Sequence, residues 1–238
     1  MHESLPSAER EQLPLLYQRW LEEIFPAGIP RERVATCLDC VMCPRPGEPV
    51  EAGMRYYEPA VKCCTYFPTL PNYLVGSAMD VESAGAAVLR DFVAHRGRDR
   101  AEVNLFGVTG KAKTKALYEA MSRELFGKDP EMLCPYAIEA DTPEGPLCGV
   151  WEHRNAVCST FFCKNVRGLT GDQFWMSLRN TFLSIEQQLA WWCISELIDD
   201  LDQVIAVAGG AQQDHSGLAL RDDAWRAWAG TPADFYRA

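Results

Sequence analysis

Cys37-Leu38-Asp39-Cys40-Val41-Met42-Cys43 is the stretch from which the rest of the chain is read. Two residues separate each cysteine from the next, so a single turn of backbone can aim consecutive sulfurs at one metal or one cluster edge. Three such thiolates in a row exceed what a single structural zinc knuckle uses and match the start of a ferredoxin-type ligand run, although the fourth ligand is not three residues further on. Cys63-Cys64 lies downstream and can supply it. The whole of 37–76 is rich in proline and has no lasting apolar period, so it reads as irregular backbone wrapped around something other than hydrocarbon. Metal ligation can replace the missing apolar burial. Side chains of adjacent cysteines diverge along the chain. Either one of the Cys63-Cys64 pair binds and the other packs, or each serves a different cluster.

A second irregular stretch, 134–168, carries Cys134, Cys148, Cys158 and Cys163. The triplet, one member of the pair and these four supply eight thiolates, which suits two four-iron clusters with four cysteines each. The tenth cysteine, Cys193, stands beside Trp191 and Trp192 in a helical pattern and reads as a small core hydrophobe. The N-terminal residues show no basic segment followed by an apolar one, and no apolar run is long enough to span a bilayer. A cytoplasmic location is therefore expected. Thiols stay reduced there, so clustered cysteines argue for metal rather than disulfides.

Composition sets outer limits. The chain has 238 residues, 47% apolar and 24% charged, enough to bury a core as a single domain spanning 1–238. A net charge of −10 would repel a phosphate backbone. Lys111, Lys113 and Lys115 form the longest basic stretch and read as a solvated helix start. Neither a nucleic-acid nor a membrane partner is expected.

Periodicity supplies the frame. Leu13, Leu16, Tyr17, Trp20, Leu21 and Ile24 predict a helix over 7–25. Val88 and Phe92 mark the inner face of a helix over about 81–95, and Leu117, Met121 and Leu125 that of another over about 112–126. Val103 to Gly107 reads as a short strand or a buried loop. Thr170 and Gln173 fit a capping box. From there Phe174, Leu178, Phe182, Ile185, Leu189 and Trp192 predict the longest helix, to about residue 202. A short helix is expected near 221–229. The fold class that follows is mainly α: four or five helices bracketing a metal-cluster core built from two Cys-rich loops.

The motif pair Cys37-x-x-Cys40-x-x-Cys43 and Lys62-Cys63-Cys64-Thr65-Tyr66-Phe67-Pro68, with Cys134-Pro135-Tyr136 and the block from Cys148 to Phe162, resembles the Cys-rich pattern of the YkgJ-type zinc/iron-chelating family over residues 37–163. There is a more distant likeness to the Cys cluster of flagellin lysine methylases. Asn155 and Ser159 depart from the family's proline and arginine. The resemblance implies chelation of iron or zinc by cysteine in a fold of helices and loops.

Between Cys148 and Cys158 lie His153, a candidate ligand or proton donor, and Arg154, which can donate to cluster sulfides, meet an anionic substrate, or simply tie the loop to backbone carbonyls. Lys164 and Arg167 are candidate cations beside Cys163, since positive charge stabilises an anionic cluster. His153, Arg154 and Lys164 are the catalytic candidates. Tyr56, Tyr57, Tyr66, Tyr73 and Trp151 are expected to shield the ligands from water. Gly107-Val108-Thr109-Gly110-Lys111 lacks the full phosphate-loop form because Ala112 follows the lysine. The expected ligands are Cys37, Cys40, Cys43, Cys63, Cys64, Cys134, Cys148, Cys158 and Cys163. They would hold one or two [4Fe-4S] clusters, with zinc as the alternative. Three functions stay open: a redox or cluster-dependent enzyme acting on a small molecule, an electron-transfer or metal-carrier module with a redox partner protein, and a structural zinc protein.

Overall fold

The computed structural model describes residues 13–29, 32, 40–44, 47–97, 100–138, 145–202, 204–205 and 222–238. Its helices are α1 (Leu15–Ile24), α2 (Asn72–Met79), α3 (Ala84–Ala94), α4 (Ala112–Leu125), α5 (Ala156–Ser159), α6 (Gly168–Leu197) and α7 (Pro232–Arg237). Strand β1 (Leu70–Pro71) pairs with β3 (Gly107–Gly110), which pairs with β2 (Ala101–Asn104); β4 (Ala137–Ile138) pairs with β5 (Leu147–Cys148), all antiparallel. The protein is mainly α. Among the described residues no helix is long and apolar enough to cross a membrane.

The small sheet forms because Val103 and Val108 face each other across a two-residue connection, Leu105–Phe106, whose side chains turn into the core instead of solvent. The expected strand or buried loop at 103–107 is thus both: a strand end and an apolar hairpin tip. Asn72, at the start of α2, reads this tip. Its Nδ2 donates to the carbonyls of Leu105 (3.0 Å) and Ala190 (2.9 Å), joining hairpin, α2 and α6 through one buried amide. Such a group costs free energy when buried unless both donors are used, and here they are. Gly107–Gly110 is the central strand of this sheet, which leaves no loop there to cradle a phosphate.

Around the hairpin packs the main core: Leu70, Val75, Leu89, Val93, Tyr136, Ile194, Trp225 and Phe235 are among its fully buried members, and Cys134 and Cys148 lie against it. A second core joins α1 to the first half of α6, with Tyr17 stacked on Phe182 at 4.8 Å between ring centres. A third, of Phe67, Ala101, Tyr118 and Met132, seats α4.

Several expected details shift. Of the helix expected at 7–25, residues before 13 lie outside the described part, and Pro14 precedes the first turn as its missing N–H requires. Tyr17 and Leu21 are buried there, but Ile24 is exposed at the frayed end. On α3 Val88 and Phe92 pack against the core as expected, though only partly buried, and the fully buried side chains are Ala86, Leu89 and Val93. On α4, Leu117 is 51% exposed and Tyr118 occupies the inner face. The capping box at Thr170 is not made: α6 starts earlier, at Gly168, with no side-chain cap. Its inner stripe is Gly171, Trp175, Leu178, Phe182, Glu186, Ala190 and Ile194, leaving Trp192 exposed. The stripe includes small residues, Gly171 and Ala190, which an apolar pattern built on bulky side chains passes over; a Cβ at Gly171 would meet the Asn165 side chain at 2.9 Å. Among the described residues seven helices are given bounds where four or five were expected, since α2, α5 and α7 are short, and the segment expected as a helix near 221–229 is a 3-10 turn, Asp222–Ala227.

One close approach fixes the position of Cys148. A Cβ added to Gly149 would lie 2.7 Å from Gly85 Cα, and one on Gly85 would lie 2.4 Å from the carbonyl carbon of Gly149. Ser83 caps α3 through Ala86 N–H and, with the same hydroxyl, donates to the Gly149 carbonyl at 3.0 Å. Backbone meets backbone, and neither side can yield. The substitution Gly149→Ala is expected to cost about 1–3 kcal/mol, as overpacking of a filled interior does, read as a lowered thermal midpoint.

Candidate metal centre

Seven cysteines, Cys40, Cys63, Cys64, Cys134, Cys148, Cys158 and Cys163, line one cavity of about 290 Å³. Cys43 stands behind Cys40 and donates its S–H to it. Cys37 lies outside the described residues. The two Cys-rich stretches do meet, and the join is a backbone bond: Cys134 N–H donates to the Cys64 carbonyl at 2.6 Å.

Local structure presents each sulfur. A turn at 58–64, with Lys62 N–H on the Glu58 carbonyl and Cys64 N–H on the Val61 carbonyl, carries the adjacent pair. Lys62 sits at φ +52, a left-handed conformation that is rare for a side-chain-bearing residue. Cys148 ends β5, pinned by the glycine contact above. Cys158 rides on α5, whose N-cap Asn155 accepts from Cys158 N–H at 3.0 Å and donates to the Thr69 carbonyl at 3.0 Å. Cys163 follows in the connection to α6. There Glu32, buried to 1% exposure, accepts from Val166 N–H and from Trp175 Nε1 and so holds the connection against the helix.

The thiols fall into two neighbourhoods. In the first, Cys43 is hydrogen-bonded to Cys40, and Cys163 to Cys63; the Cys63 bond, with burial, keeps the Cys163 thiol protonated far above its ordinary range. The bond from Cys43 lowers the pKa of Cys40, with Lys62 adding to the effect. Tyr57 donates its hydroxyl to Cys163. In the second neighbourhood Cys134, Cys148 and Cys158 act on one another. Burial first, then each other's charge, push Cys134 and Cys158 well up. Cys63 is also felt at Cys158, so the two neighbourhoods adjoin. Burying this many acidic S–H groups beside each other disfavours ionisation of most of them, a cost that a bound cation removes. Among the described residues no three His, Cys, Asp or Glu side chains are grouped closely enough to hold a single metal ion. The sulfurs stand around a space, not about a point.

The cations sort differently from expectation. Arg154 reaches the cavity; it lies over the Trp151 ring at 3.5 Å, donates from Nε to the Trp151 carbonyl at 2.9 Å, and counters part of the rise at Cys158. It therefore ties the loop, as the plainer reading held, and faces the thiols as well. His153, Lys164 and Arg167 do not line the cavity. Burial lowers the His153 pKa, Lys164 pairs with Glu51 at 3.4 Å, and Arg167 is exposed beside the first turn of α6. Closeness in sequence to Cys158 and Cys163 does not bring these three to the cavity wall. Of the aromatic residues, Tyr66 and Trp151 border the cavity and Tyr57 touches Cys163, while Tyr56 accepts from Glu51 N–H and Tyr73 faces Glu186 and Cys193. Cys193 is half-buried and off the cavity.

Sequence reasoning missed Lys62, whose Nζ donates to the Pro146 carbonyl at 3.1 Å. Its one signal was its place directly before the Cys pair. It also missed Glu186, which falls on the apolar stripe of α6. This carboxylate accepts from Ala156 N–H at 2.7 Å and from Tyr17, clamping α1 and the Cys158 helix to α6. Burial raises its pKa from 4.5 to about 7. A folded pKa above the unfolded one means the native state holds this proton more tightly. The contribution is full below about 4.5 and is lost as pH rises through 7. Between pH 5.5 and 8 the protein should lose about 2 kcal/mol relative to Glu186→Gln, read from paired denaturant curves; parallel curves would place the carboxyl in water.

Compared with protein-family models, with curated proteins and with solved structures, the chain matches none.

Proposed function

We propose that this protein binds iron–sulfur clusters, one held by Cys40, Cys43, Cys63 and Cys163 and a second by Cys64, Cys134, Cys148 and Cys158. The observation that carries the reading is the convergence of seven thiols from two remote stretches on one cavity. The donor set fits: thiolates are the usual ligands of such clusters, and a multi-iron core spreads its ligand sulfurs over its own width, so they line a wall. The adjacent pair fits too. Cys63 bonds within the first neighbourhood while Cys64 is tethered through its carbonyl to Cys134 in the second, as expected if each serves a different cluster.

Such clusters supply one-electron chemistry when bound. The chain's own groups would then hold and tune them. Lys62 and Arg154 place positive charge beside the sulfurs, and Val150, Val157, Phe126 and Phe162 keep water off. A redox or cluster-dependent enzyme is the reading favoured over a plain electron carrier, because the cavity reaches the surface at Tyr66 and Phe161, 36% and 40% exposed, giving a small molecule a way in.

Anaerobically purified protein should be brown, with iron and acid-labile sulfide in equal amounts. Cys63→Ser and Cys64→Ser should each remove about half of both, with different residual electron-spin resonance signals. Colourless protein holding zinc would overturn the proposal. Loss of all iron in either variant would leave a single centre.

A further inference from the structure

We infer that the cavity also carries a subsite for a small carboxylate with an apolar body, recognised by Arg179 and Tyr66. This inference rests on the cluster reading for its chemistry but on different residues for its binding. Arg179 projects from the half-buried side of α6 to the cavity wall. Among the described residues it makes no hydrogen bond and no ion pair, and it shares the cavity wall with Tyr66. A guanidinium has five donors in a planar fork that matches a carboxylate, and at a wall this apolar an unmatched fork is costly to keep.

Tyr66 supplies the second donor. Its side chain borders the same cavity and is 36% exposed at the opening, and its hydroxyl has no hydrogen-bond partner among the described residues. A phenol keeps its proton at neutral pH and can donate it. A permanent cation and a permanent neutral donor at one opening select an anion with two oxygens. The remaining wall selects the body. Phe161, Phe162, Val157, Pro68 and Leu70 present rings and methyl groups, and Phe161 is steadied by an edge contact with Phe126 at 5.6 Å. Arg154 does not compete for this role, because its Nε is spent on the Trp151 carbonyl and its plane on the Trp151 ring. Cys134 and Cys158 line the same cavity as Arg179 and Tyr66, so a carboxylate seated on those two would have its apolar body facing the thiols of the second neighbourhood.

The test is calorimetric titration of phenylacetate, and of its uncharged counterpart phenylacetamide, into anaerobically purified protein, with iron and sulfide assayed on the same samples. Phenylacetate should bind at least tenfold more tightly than phenylacetamide. Arg179→Met should abolish that preference with iron and sulfide unchanged, and Tyr66→Phe should weaken phenylacetate severalfold. Equal binding of the two compounds, no binding of phenylacetate, or an unaltered preference in Arg179→Met would overturn the subsite. Loss of iron in Arg179→Met would also overturn it, by assigning the guanidinium to the cluster. Protein without iron and sulfide that still prefers phenylacetate through Arg179 would sink the cluster reading alone and leave the subsite standing.

Discussion

The hydrogen bond from Cys134 N–H to the Cys64 carbonyl is the constraint on which the site depends. It joins two segments separated by α2, α3, the β2–β3 hairpin and α4, so every one of those elements must dock before the sulfurs of the two loops can face each other. Closing a loop of that length costs entropy that the bond alone cannot offset, at a net worth of roughly 1 kcal/mol. The cores on either side make up the difference. Burial of Leu70, Val75, Leu89 and Ile194 is worth about 1.5–3 kcal/mol for each side chain, and Asn72 fixes the hairpin tip to both α2 and α6. The helices are scaffolding whose product is the relative position of two irregular loops.

How much of this could be read from the chain depends on range. The cysteine spacing is local and dense, so it marked residues that the fold brings together: all eight described candidates lie on the cavity or are bonded to a thiol that does. Helix locations followed from apolar period, which is also local. What failed was anything set by a partner distant in sequence. Leu117 is apolar and in phase, yet Tyr118 wins the inner face because it also bonds the Met132 carbonyl at 2.7 Å. Lys164 and Arg167 neighbour Cys163 in the chain but are turned away from it, whereas Arg179, a dozen residues later, comes round to the wall on the turns of α6. Glu186 was invisible for the opposite reason: a carboxylate on an apolar stripe looks like an error until Tyr17 and Ala156 are seen to satisfy it.

The polar groups buried near the thiols share a pattern. Glu32, Asn155 and Glu186 each bond two separate segments, and each lies within the frame that presents Cys158 or Cys163. A buried polar residue satisfied on both sides adds less stability than directional specificity, because only one arrangement of its neighbours satisfies it. Apolar packing brings the loops near; these three side chains decide the angle at which the sulfurs point.

Lys62 shows where two demands on one residue diverge. Its left-handed backbone would suit glycine better, by roughly 1 kcal/mol, and its buried ammonium has to be held by a carbonyl. Any drift toward an easier residue would make the chain more robust to heat while stripping positive charge from the thiols at Cys40 and Cys43. The position is thus a local trade-off between durability and chemistry, and a version of this protein optimised only for folding would be expected to abandon it first.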